Sequence, residues 1–272
     1  MMQAYSPPWS VLRVKGPDAA SFLHNLCTNE IKQLPPGGCC EAFFTDVKGK
    51  VLAFALVCRT ADGYAVVVTS KHAAELAAHL EKYHIREELE VGVDSEANLS
   101  LFWGRPAAAG ELFDIAALGA RLCLNDACMD TMVRLSPGGF DTLRIERGFP
   151  LDRVDVDSSR LPQEVNRDAA AISFTKGCYL GQETVARIDA LGHVNRVLVS
   201  VTFAGGEPPS VGAELTADGK PVGVVTSACY SKELAAPLAL AYVRREHAGA
   251  GTKLESSAGA AEVLAGPAVS AD

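Results

Sequence analysis

One short stretch gathers most of the reactive chemistry in this chain. Phe174-Thr175-Lys176-Gly177-Cys178-Tyr179-Leu180-Gly181-Gln182-Glu183-Thr184-Val185-Ala186-Arg187 holds a thiol, two cations, a carboxylate, a phenol and two glycines. A thiol acts as a nucleophile or a metal ligand only as the thiolate, and Lys176 and Arg187 are the cations that could favour that form of Cys178. One unit charge about 6 Å away is worth about 0.7 kcal/mol in water and about 2.8 kcal/mol at an effective dielectric of about 20, which moves a thiol pKa by roughly half a unit to two units. Gly177 and Gly181 bracket the cysteine, so the backbone there can take positive φ or approach another segment closely, which places the thiol on an exposed turn. The alternative is a buried cysteine serving as a small hydrophobe. The flanking polar residues show neither an alternating nor a 3.6-residue apolar pattern, which favours the functional reading.

The other candidate ligands do not assemble into a metal centre. Cysteines stand at 27, 39, 40, 58, 123, 128, 178 and 229, with no Cys-x-x-Cys among them. A self-contained zinc or iron-sulfur site normally draws four ligands from closely spaced cysteines and histidines. Cys39 and Cys40 are adjacent, and on a strand they point to opposite faces. Cys123 and Cys128, around Leu124-Asn125-Asp126-Ala127, fit no metal-binding spacing. His72, His79 and His84, seven and five residues apart, read as surface histidines on a helix. Any metal bound by Cys178 therefore needs ligands from another molecule.

The elements that must position this stretch follow from periodicity and turn chemistry. Trp9 to Val14 reads as a strand, and Gly16-Pro17-Asp18 opens a helix carrying Phe22, Leu23 and Leu26 that ends near Thr28-Asn29. Glu41 to Val47 and Val51 to Cys58 form a hairpin across Lys48-Gly49-Lys50, followed by a turn at Asp62-Gly63 and a strand from Tyr64 to Thr69. Leu76, Leu80 and Tyr83 recur at helical spacing between Lys71 and His84. Arg105 to Gly110 reads as a turn or the start of a short helix, Arg121 to Leu124 as a strand, and Phe140 to Arg147 as a short helix stopped by Gly148 and Pro150. Leu151 to Ala171 is a long ordered loop with one helical turn, of the kind that is often functional. Beyond Gly192, Arg196 to Phe203, Val222 to Ser227, Leu238 to Val243, Thr252 to Glu255 and Ala261 to Leu264 are short strands separated by turns, which points to a small barrel or sandwich. The tail from Gly266 to Asp272 is expected to fray.

Composition bounds the class of partner. The chain has 272 residues, a net charge of -8 and a pI of about 5.3, which suit two or three domains and argue against nonspecific binding to nucleic acid or an anionic membrane. Met1 to Ser10 lacks the basic and apolar regions of a signal peptide, and no apolar run reaches membrane-spanning length. A cytoplasmic protein with reduced cysteines is expected.

With Lys176-Gly177-Cys178-Tyr179-Leu180-Gly181-Gln182-Glu183 in view, the chain resembles the YgfZ family, folate-binding relatives of the glycine-cleavage aminomethyltransferase that assist iron-sulfur protein maturation. The resemblance extends over Val14-Lys15-Gly16-Pro17-Asp18-Ala19, Asp46-Val47-Lys48-Gly49-Lys50, Arg144-Ile145-Glu146-Arg147-Gly148-Phe149-Pro150 and Leu161-Pro162. At the C-terminus it includes Val222-Gly223-Val224-Val225-Thr226-Ser227 and Leu238-Ala239-Leu240-Ala241-Tyr242-Val243-Arg244. It implies an α+β fold: a three-domain ring of the aminomethyltransferase type around a central channel, with a ferredoxin-like middle domain and a C-terminal β-barrel. Residues 1–46 and 143–192 would form a discontinuous folate-binding first domain, 47–142 the ferredoxin-like second, and 193–272 the barrel.

The same resemblance assigns roles. Cys178 would be the functional thiol, surrounded by the site residues Lys176, Gln182, Glu183 and Arg187, acting either as a ligand of a transient iron-sulfur cluster shared with an A-type carrier or a client iron-sulfur protein, or as a redox group that protects such a cluster. Tetrahydrofolate would lie against Trp9 and Phe140, the latter standing where family members carry tryptophan, with Glu146 accepting from pterin N–H groups. Aminomethyltransferases carry an essential aspartate near Lys71-His72-Ala73-Ala74-Glu75-Leu76, and here Glu75 is the nearest acid. A carboxylate displaced by about 1 Å can lose about a hundredfold in a positioned reaction, which argues against aminomethyl transfer. A folate-dependent one-carbon transferase using Glu75 or Glu146 is the alternative function.

Overall fold

The computed structural model describes residues 3–104, 111–124 and 132–270. The turn expected at 105–110 and Cys128 lie outside the described residues.

Two five-stranded sheets and a six-stranded barrel make up the β structure. Strand β1 (Gln3–Tyr5) belongs to one sheet, and β2 (Ser10–Lys15), β3 (Cys39–Thr45), β4 (Val51–Thr60), β5 (Gly63–Val68) and β6 (Glu90–Asp94) form the other in the order β3-β4-β5-β2-β6. Strands β7 (Leu99–Trp103), β8 (Glu111–Ile115), β9 (Ala120–Leu124) and β10 (Val133–Arg134) complete the β1 sheet in the order β10-β1-β7-β9-β8. The run Val51-Leu52-Ala53-Phe54-Ala55-Leu56-Val57-Cys58 is nearly all apolar because the central strand β4 is covered on both faces. One face packs under α1 (Ala19–Leu26) and α2 (Ala73–Glu81), where Leu12, Val66, Phe22, Leu23, Leu76 and Leu80 meet. The other face contributes Phe43, Phe54 and Leu56 to a core shared with Trp9, Phe140 and Phe149.

The sheet of β2 to β6 does not divide at residue 46. Strands β3 and β4 lie on either side of that position and pair in register from Cys39↔Cys58 to Thr45↔Val51, so the domain boundary expected there would cut a hairpin. Strand β1 likewise pairs with β7, a hundred residues on, rather than with its neighbour β2. The β1–β7 pairing leaves no trace in local sequence because it is long-range.

Two helix starts also differ from expectation. Helix α1 begins at Ala19, not Pro17, because Gly16, at φ +125°, and Pro17 form a turn closed by Ala19 N–H donating to the Gly16 carbonyl. Helix α3 (Pro137–Glu146) begins three residues before Phe140, since Ser136 caps it by accepting from Gly139 N–H at 3.1 Å and Pro137 fits the first helical position.

Between α3 and the barrel the chain runs through a 3-10 turn (Pro162–Val165), α4 (Asp168–Ala171) and α5 (Gln182–Leu191). The barrel closes β11 (Arg196–Phe203), β12 (Glu214–Ala217), β13 (Lys220–Ser231), β14 (Ala236–Arg244), β15 (Lys253–Ser256) and β16 (Gly259–Val263) in the order β11-β14-β13-β12-β15-β16. A buried ionic cluster ties it to α3. Arg144, 3% exposed, donates to Asp155 and to Ser227 of β13, while Asp155 also accepts from Thr226, Ser227 and the Leu151 N–H. Every oxygen of that buried carboxylate is thus occupied, which is the condition under which a buried charge is tolerated.

Candidate functional site

The segment leading into α5 is held to the body of the protein at both ends. Upstream, Ser173 N–H donates to the Thr28 carbonyl at 2.9 Å. The Lys176 side chain then turns inward, and its ammonium donates to the carbonyls of His24 (2.5 Å), Cys27 (2.8 Å) and Asn29 (2.6 Å) at the end of α1. These carbonyls have no continuing helix to bond them, so a buried cation substitutes for the missing N–H groups. The ammonium also lies 5.1 Å from the Tyr179 ring centroid. Burial lowers the Lys176 pKa, with nearby thiols and Glu30 acting against it. Lys176 is therefore an anchor whose three donors point at backbone, which corrects its expected part as the cation beside Cys178.

Downstream, Leu180 N–H donates to the Asn25 carbonyl at 2.9 Å, and its own carbonyl accepts from Thr45 Oγ1 at 2.6 Å. Gly181 sits at φ +82°, where it caps α5. A Cβ built there would come within 2.5 Å of the Asp46 carbonyl and 2.7 Å of Thr45 Oγ1. The tip of the β3–β4 hairpin closes against it. Asp46 Oδ1 accepts from the N–H groups of Lys48 and Lys50, shaping the turn, and Gly49, at φ +77°, leaves room for Gly181 and Thr184. The two motif glycines are unequal: Gly177 has ordinary φ and its nearest neighbour would be His24 Nε2 at 3.9 Å.

Between these anchors Cys178 is exposed, and Phe174, four residues earlier in the chain, is 44% exposed. Gln182, Glu183 and Arg187 lie on α5. Glu183 and Arg187 face solvent one turn apart, and Gln182 is half-buried, with Val185 as the buried side chain of that helix. Among the described cysteines Cys178 alone is exposed. Burial raises the pKa of Cys27 and Cys40 and pushes that of Cys229 up to about 12, so these thiols are held protonated. The described residues contain no group of three or more side chains able to hold a metal ion. The geometry offers one accessible thiol on a shaped loop, which can serve as a nucleophile or as a single soft ligand to a metal held mainly by another molecule.

The residues expected against a pterin are arranged differently. Phe140 is 3% exposed; Tyr5 stacks on it at 4.5 Å and 14°, the Trp9 edge meets it at 6.0 Å, and Trp103 packs at 6.5 Å. No face of Phe140 remains for a ligand ring. Trp9 is itself packed against Phe149, and Glu146 accepts from Ser231 Oγ at 2.6 Å. These three side chains form core and a tie to the barrel, and they do not fit a pterin as they stand. Glu75 is exposed and accepts from Arg153 at 2.5 Å, which occupies the acid nearest the aminomethyltransferase aspartate position.

Several residues of the site carry no chemical signal in the sequence. His24 is buried behind Gly177, with Nδ1 3.0 Å from Glu30 Oε1 and a pKa lowered by burial and then by Lys176. Asn25, Cys27 and Asn29 act through backbone carbonyls, for which side-chain type is no guide. Thr45 and Asp46 read from the sequence as the end of a strand, and their contact with Gly181 depends on tertiary structure.

Comparison with known proteins agrees with this architecture. Residues 9–109 match the GCVT N-terminal domain, and residues 196–269 match the glycine cleavage T-protein C-terminal barrel domain. The crystal structure of glycine cleavage system aminomethyltransferase T from Bartonella henselae matches with a TM-score of 0.86 at 19% identity, over 98% of this chain and 86% of that one. The fold is thus α+β of the aminomethyltransferase type. The tRNA-modifying protein YgfZ of Serratia proteamaculans is 27% identical over 76% of this chain and 72% of its own length. A chloroplastic transferase-like relative from Arabidopsis thaliana is 24% identical over 88% of this chain, which spans 64% of that longer protein. The human mitochondrial iron-sulfur cluster assembly factor IBA57 is 31% identical over 79% of this chain and 71% of its own. The chain belongs to the YgfZ family, which includes IBA57, within the aminomethyltransferase superfamily.

Proposed function

We propose that this protein assists the assembly or repair of iron-sulfur proteins, with Cys178 supplying one thiolate to a cluster that a partner holds through its remaining ligands. The observation that carries the reading is that, among the described cysteines, Cys178 alone is exposed, on a loop fixed by Lys176 on one side and Gly181 on the other. A [2Fe-2S] cluster takes four protein ligands, so one thiol implies a shared cluster and a partner of the A-type carrier kind or a client protein. The cluster is cargo here and not a resident group. The name of the human relative supports the same class of task, while the bacterial relative is named for tRNA modification. The tRNA in the bacterial name is assigned to a downstream client, since a net charge of -8 gives little electrostatic footprint for RNA. A cytoplasmic location is part of the proposal; among the described residues no helix is long and apolar enough to cross a membrane.

The experiment is titration of a cluster-loaded carrier with the protein, followed by visible absorbance and circular dichroism. The wild type is expected to perturb the cluster bands and Cys178→Ser to leave them as in the carrier alone. Identical spectra with both would overturn the assignment of Cys178 as a ligand.

Tetrahydrofolate binding is supported by the fold type, and Trp9, Phe140 and Glu146 as arranged do not add to it. The fold motivates the test: a rise of melting temperature with tetrahydrofolate would show that the protein binds it. Aminomethyl transfer finds no free carboxylate in Glu75, paired with Arg153, or in Glu146, bonded to Ser231.

A further inference from the structure

The opposite end of the β3–β4 hairpin from the Gly181 contact holds a second reactive feature. Cys39 stands directly across from Cys58, and their sulfurs are 3.0 Å apart. The adjoining pair, Gly38 and Arg59, carries the hydrogen bonds: Arg59 N–H donates to the Gly38 carbonyl at 2.8 Å, and the Arg59 carbonyl accepts from Gly37 at 3.0 Å. Cys39 and Cys58 are thus a non-hydrogen-bonded pair, the position where facing side chains come closest, with Cα atoms about 4.5 Å apart. A disulfide needs Cα atoms about 4.4–6.8 Å apart and sulfurs at about 2.05 Å, so rotation of the side chains suffices to close it. Access is graded. Cys58 is 0% exposed and Cys39 half-buried, so a reagent meets Cys39 first while Cys58 waits behind it.

We propose that Cys39 and Cys58 are a redox modification site, forming a reversible cross-strand disulfide by exchange with a small-molecule disulfide. The Cys39 thiolate attacks one sulfur of glutathione disulfide, forming a mixed disulfide and releasing one glutathione thiolate. The Cys58 thiolate then attacks the Cys39 sulfur and releases the second glutathione. Two protein thiols are oxidised, one glutathione disulfide is reduced to two glutathiones, and the two protons pass to the departing thiolates. The hydrogen bond with the facing Cys58 thiol, and then burial, raise the Cys39 pKa, with Glu41 and Asp114 acting in the same direction, so Cys39 rests as the protonated thiol and only its thiolate fraction reacts. The bond would strap the strand whose far end shapes the seat of Gly181, so it is a device separate from Cys178 and independent of the cluster reading.

The test is native incubation of the full chain with glutathione disulfide, alkylation of remaining thiols and peptide mass spectrometry. The expected product is an intrachain link that survives Cys40→Ser and Cys178→Ser, is lost in Cys39→Ser, and reverses with dithiothreitol. Closing this loop is expected to raise the melting temperature by on the order of 5–10 °C. In Cys58→Ser, glutathione should remain trapped on Cys39. The proposal is overturned if Cys39 and Cys58 stay fully alkylatable when Cys178 has been glutathionylated, or if the link formed joins Cys40 to Cys27.

Discussion

Replacing Lys176 with methionine separates anchoring from activation. The side chain is 8% exposed, so Lys176→Met keeps the stem packed and removes only the ammonium. Three carbonyls, on His24, Cys27 and Asn29, then lose their donor. A hydrogen bond to a charged group is worth about 1.5–3 kcal/mol, and an orphaned buried acceptor costs about 1–3 kcal/mol, so the gross loss is on the order of 6 kcal/mol. Part of it returns, because methionine avoids the desolvation that lowers the Lys176 pKa and water can reach the partly buried Asn29 carbonyl. A net destabilisation of about 3 kcal/mol remains, or roughly 6–12 °C in melting temperature. The assay is urea unfolding paired with the rate of Cys178 alkylation in the folded protein, read at the level of the modified peptide. Stability should fall by that amount while the alkylation rate at neutral pH stays within about twofold of the wild type. A cation about 6 Å from the thiol would instead change the thiolate fraction by roughly threefold to a hundredfold. An alkylation rate that drops threefold or more with stability unchanged would refute the anchoring role.

Three other substitutions test the site and its surroundings. Gly181→Ala forces a Cβ onto the Asp46 carbonyl at positive φ and is expected to cost about 2 kcal/mol or more and to abolish cluster perturbation, whereas Gly177→Ala should be nearly neutral in chemical denaturation. Asp168, whose Oδ1 is buried without a partner, has its pKa raised to about 6 by burial and then by Asp189, against an ordinary 3.8. Its contribution to stability is thus greatest below about pH 4 and is lost as pH rises through about 6. Asp168→Asn should therefore raise stability by about 1 kcal/mol at pH 7, allowing for solvent screening, with the gain shrinking steadily between pH 6 and pH 4 in a series of thermal melts.

Legibility differed by kind of residue. Strands with strong periodicity, such as Arg196 to Phe203 and the hairpin arms around Lys48-Gly49-Lys50, stand in the structure nearly where the sequence puts them. Glu90 to Asp94 and Glu214 to Ala217 carry no comparable pattern, since each buries little and is held by neighbours in its sheet. Helix α5 was equally obscure, because a helix that buries Val185 and little else has no apolar stripe to read. Cys178 and its exposure were legible from the flanking glycines and polar residues. The role of Lys176 was not, since a lysine that turns inward to cap carbonyls has the same sequence signature as one that sits beside a thiol. Phe140 likewise looks available for stacking until Tyr5, remote in the chain, covers its face.

The two-ended fixation of the Cys178 loop has a kinetic consequence. A disordered segment loses conformational freedom on meeting a partner, at about 0.5–1.5 kcal/mol for each immobilised side chain. Here that ordering has already taken place during folding, through Lys176 at one end and the Asp46 turn at the other. A partner can therefore dock on a small surface and leave again quickly without sacrificing selectivity, which is the behaviour the proposed function would require of a protein meeting successive carriers and clients.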